Sequence, residues 1–176
     1  MASLDDLRVL IVDDNVHMRV LVRCLLKAGG VTRVTEADSG EAGLRMLKSV
    51  QADLVIVDWK MAPVDGAAFT AAVRRGEAPN PFIPILMLTA HTEASRVAGA
   101  RDAGVSGFIR KPISAQLLFD RVASALTDTR MFVRSAAFIG PDRRHGQAHN
   151  YAGPFRRETD RGAGEDLDLD DLRWTA

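Results

Sequence analysis

The chain has 176 residues with 23 basic and 23 acidic side chains, so its formal net charge is zero and no global field draws it to nucleic acid or an anionic membrane. Its single cysteine, Cys24, excludes an internal disulfide, and no apolar run approaches the roughly 18 residues that span a bilayer. These features point to a cytoplasmic protein in which Cys24, inside an apolar helical pattern, is a small buried side chain rather than a nucleophile.

Aliphatic residues are concentrated up to about Leu126, and Gly, Arg and Asp dominate afterwards. This divides the chain into a folded part, residues 1–128, and a flexible extension, residues 129–176. Leu7 to Val12 reads as a buried strand that ends in two aspartates. Asn15 caps the helix that follows, with Met18, Leu21, Val22, Leu25 and Leu26 at three-and-four spacing until Gly29-Gly30 stops it. Val31 to Ala37 is the next strand, and Ser39-Gly40-Glu41 opens a helix carrying Leu44, Leu47 and Val50. Leu54 to Val57 is a wholly apolar strand delivering Asp58. Helix Gly66 to Arg75, strand Ile83 to Leu88, helix Thr92 to Ala103, strand Gly107 to Ile109 and helix Ala115 to Leu126 complete the alternation. Strict alternation of this kind predicts an α/β domain, one parallel sheet covered by helices on both faces.

Ligands of such sheets sit beyond the carboxyl ends of the strands. There the first strand ends in Asp13-Asp14, the third in Asp58, the fourth in Thr89 and the fifth in Lys111-Pro112. Three carboxylates gathered on one rim repel one another, so the fold that gathers them holds a divalent cation or shifts a pKa. Hard oxygen ligands without His or Cys point to Mg²⁺, which takes one or two carboxylates and leaves room for a phosphate. A carboxylate in this setting serves as a nucleophile toward phosphorus, with metal and cation stabilising the charge in flight. Asp58 is the best nucleophile because it ends its strand alone, whereas the adjacent Asp13 and Asp14 suit metal binding. Lys111 supplies a countercharge and Thr89 a hydroxyl donor.

The spacing of Asp13-Asp14, Asp58, Thr89 and Lys111-Pro112 resembles the CheY-like receiver domain of response regulators, over roughly residues 5 to 127. The resemblance implies a flavodoxin-like, doubly wound sheet of five parallel strands in the order 2-1-3-4-5. It implies that Asp58 takes phosphate from a histidine kinase or phosphotransferase, and that Asp13, Asp14, Asp58 and the backbone carbonyl of Lys60 hold Mg²⁺. Lys111 then pairs with the phosphate, while Thr89 and the aromatic Phe108 form the switch. One departure lies in the loop after Asp58, where the family places Pro at the position of Ala62 and here Pro63 follows one place later. His91 reads as a solvated loop residue.

The extension carries an internal repeat, aromatic-x-Gly-Pro-x-Arg-Arg, at Phe138 to Arg144 and again at Tyr151 to Arg157. Gly-Pro marks a turn or extended chain, which places each Arg pair on an exposed strip. Every lysine-type role in this stretch is filled by Arg, whose planar fork meets the O6/N7 edge of guanine, stacks on its face and contacts phosphate. The pattern resembles the arginine-rich extensions of Cle proteins, CheY-like regulators that bind cyclic di-GMP and act at flagellar motors. That resemblance implies a ligand set of Asp142, Arg143, Arg144, Arg156, Arg157 and Asp160, with Tyr151 stacking. It also implies recruitment to the flagellar pole or motor. The last segment, Glu165 to Trp174, alternates acid and leucine and either dangles or docks on a basic groove.

Two functions compete. One is a phosphorylated regulator that acts by contact with a protein target, such as a flagellar motor switch, under cyclic di-GMP control. The other is a plain phosphorelay or chemotaxis receiver whose extension is only a tether. DNA binding is disfavoured because acids interleave the Arg residues and no helix-turn-helix follows Leu126. Enzymatic turnover of a diffusible substrate is disfavoured too, since the only assembled chemistry is self-catalysed phosphoryl acceptance.

Overall fold

The computed structural model describes residues 4–90, 103–134 and 139–142. A single 3-10 turn, Leu4–Asp6, leads into β1 (Arg8–Val12), α1 (Val16–Ala28), β2 (Arg33–Ala37), α2 (Gly40–Ser49), β3 (Leu54–Asp58) and α3 (Gly66–Ala72). A π turn, Val73–Glu77, then precedes β4 (Ile85–Thr89), β5 (Gly107–Arg110) and α4 (Ala115–Leu126). The expected helix over 92–103, and with it His91, lies outside the described residues apart from its last position. The five strands are parallel in the order β2-β1-β3-β4-β5, as expected for a flavodoxin-like sheet.

Alternation along the strands divides the core into two layers. Leu10, Val12, Val55, Val57, Ile85 and Met87 face one side, packed with Leu47 of α2 and Phe69 of α3. Val9, Ile11, Leu54, Ile56, Leu86 and Leu88 face the other, against Val22 and Leu26 of α1 and Leu118 and Val122 of α4. The helices begin on short polar caps. Asn15 Oδ1 accepts from the amides of His17 and Met18, Ser39 Oγ from Ala42, Asp65 Oδ1 from Ala68 and Ser114 Oγ from Leu117. Register between β1 and β3 pairs Val12 with Val57, and between β3 and β4 pairs Asp58 with Leu88, so the first residues past β1 arrive beside Asp58.

Several expectations need correction. Cys24 is exposed rather than buried. It lies two positions from both Val22 and Leu26, the buried residues of α1, and is therefore turned about 200° away from them. Leu21 and Val50 are also partly exposed, the first on the outer side of α1 and the second as the extended residue that ends α2. The helix starting at Gly66 gives way to the π turn after Ala72, where Arg74 turns inward, and β4 begins two residues late because Pro84 has no amide to donate and Arg74 engages the Ile83 carbonyl.

The chain continues past α4 into an antiparallel hairpin, β6 (Phe132–Arg134) with β7 (Ile139–Pro141), a feature the sequence pattern did not announce. The first Gly-Pro of the repeat, Gly140-Pro141, is thus in extended chain and buried. Asp142 closes the pairing by donating its amide to the Met131 carbonyl at 2.8 Å.

Candidate functional site

At the carboxyl end of the sheet, β1 and β3 deliver Asp13, Asp14 and Asp58 to one spot. Each offers one carboxylate oxygen, and these oxygens lie within 4.8 Å of one another. Asp13 and Asp58 are buried while Asp14 faces solvent. Lys111, brought in by β5, places Nζ 2.7 Å from Asp58 Oδ1 and 3.9 Å from Asp13 Oδ2. Its backbone amide donates to the Thr89 carbonyl at 2.8 Å, which fixes the ends of β4 and β5 to each other beside the acids. Thr89 itself is buried at the last position of β4.

The backbone is arranged to hold these groups still. Asp13 donates its amide to the Ala37 carbonyl, and its own carbonyl accepts from Arg19 Nη1 at 2.7 Å. Arg19 is anchored in turn on Glu36. Trp59, following Asp58, donates to the Leu88 carbonyl at 3.0 Å and accepts from Gly66 at 2.9 Å. Gly66 is required there, because a Cβ would stand 2.3 Å from the Asp58 carbonyl oxygen. The Lys60 amide donates to Asp58 Oδ2 at 3.2 Å, which leaves the carboxylate tied on one side by Lys60 and on the other by Lys111. The Ala62-Pro63 bond in the following loop is cis, as is Lys111-Pro112.

Asp13 is the group under electrostatic tension. Its Oδ1 accepts the Asn15 amide at 2.8 Å, but its Oδ2 has no hydrogen-bond partner among the described residues. Burial pushes its carboxyl up to about 6 against the pull of that amide, with the charges of Asp58 and Asp14 adding to the rise and Lys111 opposing it. A buried, under-satisfied carboxylate beside two others is what a hard divalent cation relieves, and an all-oxygen donor set selects Mg²⁺ over softer metals.

The structure thus brings together Asp13, Asp14, Asp58, Thr89 and Lys111. Phe108 is buried in the layer with Met87, Ile85 and Val105. Of the residues assigned to a ligand in the extension, only Asp142 is described, on the hairpin at the amino end of β4 and β5. Arg143, Arg144, Tyr151, Arg156, Arg157 and Asp160 lie outside the described residues. Sequence reasoning missed Arg19 as a support for Asp13. It also missed Arg74, whose side chain is buried without a carboxylate partner among the described contacts.

A doubly wound parallel sheet with three acids, a hydroxyl and a lysine at its carboxyl rim defines a class of protein: an α/β module equipped to carry a phosphoryl group beside a metal ion. The chain belongs to the response regulator receiver domain family, whose model matches residues 9–123. Chemotaxis protein CheY of Pseudomonas aeruginosa is 37% identical over 116 residues, which is 66% of this chain and 93% of that protein. Chemotaxis protein CheY-3 of Vibrio cholerae is 36% identical over 117 residues, covering 66% of this chain and 89% of its own length. The solved structure of Vibrio cholerae chemotaxis protein CheY4 matches with a TM-score of 0.63 at 30% identity, over 68% of this chain and 98% of that one. Receivers of this family take a phosphoryl group onto an aspartate from a histidine kinase or phosphotransferase, bind Mg²⁺ through acidic residues and act by contact with other proteins. The family match stops before the hairpin. Among the described residues no helix is long and apolar enough to cross a membrane.

Proposed function

We propose that this chain is a cytoplasmic response regulator whose phosphoacceptor is Asp58, and that its arginine-rich extension binds cyclic di-GMP to direct the regulator to a motility target such as a flagellar motor switch. The observation that carries the first part is the contact of Lys111 Nζ with Asp58 Oδ1 at 2.7 Å inside a ring of carboxylates. Asp13, Asp14, Asp58 and the Lys60 carbonyl would hold Mg²⁺, and the metal would screen negative charge on an incoming phosphate. Asp58 attacks phosphorus through a carboxylate oxygen as the donor's bond to phosphorus breaks. Lys111 and Thr89 then meet the phosphoryl oxygens, and Phe108 moves with Thr89 as the switch. Val16, Val20 and Leu21 are exposed on α1, the helix that follows Asp13 and Asp14, and would give a phosphodonor protein an apolar surface.

Acetyl phosphate with Mg²⁺ should change the fluorescence of Trp59 in the unaltered chain and leave Asp58→Asn silent. A response that persists in the variant would remove Asp58 from its role. For the extension, the support is the repeated aromatic-x-Gly-Pro-x-Arg-Arg and the interleaved acids. Calorimetric titration of cyclic di-GMP into the full chain should give saturable heat that is lost in a variant with Arg143, Arg144, Arg156 and Arg157 all changed to Ala. The absence of heat in the unaltered chain would leave the second reading, a phosphorelay or chemotaxis receiver with a tether, which the CheY relatives favour.

A further inference from the structure

The amino end of β4 and β5 holds an assembly that the acidic rim does not use. Arg74, in the π turn, is 2% exposed and donates from Nε to the Gly104 carbonyl at 2.9 Å. Its Nη1 donates to the carbonyls of Pro81 at 2.6 Å and Ile83 at 2.8 Å. Nη2 has no hydrogen-bond partner among the described residues. The guanidinium carbon lies 5.1 Å from the ring centroid of Phe132 in β6, and that ring meets Phe82 edge-on at 5.3 Å. Phe132 therefore covers a buried cation whose other contacts among the described residues are carbonyl dipoles.

The same hairpin grips the entry to β5. Arg130, paired with Asp128, donates from Nη2 to the Ser106 carbonyl at 3.0 Å, while Ser106 Oγ accepts the Ile85 amide at 3.0 Å. Gly104 has a positive φ of 94°, and a Cβ there would stand 2.5 Å from the Ile139 carbonyl oxygen, so β7 lies directly on that turn. β5 has four residues, Gly107–Arg110, and it carries Phe108 and delivers Lys111. A strand this short has little length over which to absorb a displacement at its start.

We propose that Arg74 and Phe132 are positioning residues for the phosphorylation switch: the stretches Asp128–Arg134 and Ile139–Asp142 brace the amino end of β5 and so hold Phe108 and Lys111 in the arrangement that the phosphoryl group requires. The inference rests on the assignment of Asp58 and adds a control point at the opposite end of the sheet. Loss of the Phe132 ring admits water to Arg74, weakens its hold on the Gly104 carbonyl and loosens the entry to β5. Lys111 then reaches Asp58 from a broader set of positions, and binding of a phosphoryl group becomes weaker.

The test is a titration of the full chain with beryllium fluoride, a phosphoryl mimic, in saturating Mg²⁺, read by Trp59 fluorescence. Phe132→Ala should raise the half-saturating concentration by roughly threefold to thirtyfold. Phe132→Leu, which keeps apolar cover without the ring face, should shift it in the same direction, and Phe132→Tyr should restore it. Met131→Ala, at a neighbouring position that is 80% exposed, should change nothing. A purely structural hairpin would lower the melting temperature of Phe132→Leu and leave its half-saturation equal to that of the unaltered chain, and that result would overturn the proposal. Failure of the unaltered chain to respond would instead overturn the assignment of Asp58, and the positioning role with it.

Discussion

The two ends of the same pair of strands treat charge in opposite ways. At the amino ends of β1 and β3, Arg8 meets Asp53 through its backbone amide and Nε at 2.9 Å and through Nη2 at 2.6 Å. The side-chain contact holds the Asp53 carboxyl below its ordinary value. At the carboxyl ends, Asp13 and Asp58 face each other with one lysine between them, and Asp13 is held above its ordinary value. Nearby, the amino end of β4 buries Arg74 among carbonyls, and burial pushes that guanidinium down to about 9, which still leaves it charged at neutral pH. The contrast teaches where to look for function in a sheet of this kind. At the amino ends of β1 and β3 the charges are matched, whereas their carboxyl ends are left short of a cation and are ready to receive one.

The largest expected effect tests how firmly Arg74 ties together the carbonyls at the amino end of β4 and β5. Arg74→Ala leaves the carbonyls of Gly104, Pro81 and Ile83 without their donor. At about 1 kcal/mol or more for each stranded acceptor, the loss should reach about 3 to 4 kcal/mol in urea unfolding. A loss below about 1 kcal/mol would mean that water replaces Arg74 freely, and the contrast between the two ends would weaken.

The next effect has the opposite sign and belongs to the rim. With a folded pKa of about 6 against an ordinary 3.8, Asp13 binds its proton more tightly in the folded chain than in the unfolded one. Its contribution to stability without metal is therefore best below 3.8 and declines as pH rises to about 6, after which it stays low. Asp13→Asn removes that decline and should stabilise the metal-free protein by about 2 to 3 kcal/mol at neutral pH. Mg²⁺ should stabilise the unaltered chain and leave the variant nearly unmoved. Urea unfolding in chelator and in Mg²⁺ across pH 4 to 8, about the range in which the group titrates, checks both statements. A variant that is less stable than the parent in chelator would show that the rim is not under tension.

These contrasts were legible in the sequence to unequal degrees. Asp13-Asp14, Asp58, Thr89 and Lys111 could be found because each follows an apolar strand, and a parallel sheet sends all strand ends of one polarity to the same rim. Caps at Asn15 and Ser39 were legible for a similar local reason. Cys24 misled because α1 is apolar on several sides: Val16, Val20 and Leu21 are exposed as Cys24 is, so periodicity alone did not single out Val22 and Leu26. Arg74 was invisible because an arginine near a helix end reads as a solvated residue. Its burial depends on three carbonyls from two loops and a ring from β6, partners that only the folded chain assembles.

The smallest effect is the sharpest check on the comparison, because it is measured on the same two strands as Asp13. Asp53 is held down chiefly by its hydrogen bond to Arg8, so its stabilising contribution is present above the unfolded pKa and is lost as pH falls through the lower folded value. Asp53→Asn should therefore be slightly less stable than the parent at neutral pH, with the difference closing in acid and shrinking in high salt. The effect stays small because the two side chains are 36% and 35% exposed and water screens the pair. Asn at position 13 and Asn at position 53 are the same chemical change at opposite ends of β1 and β3, yet one should raise stability at neutral pH and the other lower it. Shifts of the same sign would mean that the position of a carboxylate in this sheet does not decide its electrostatic role.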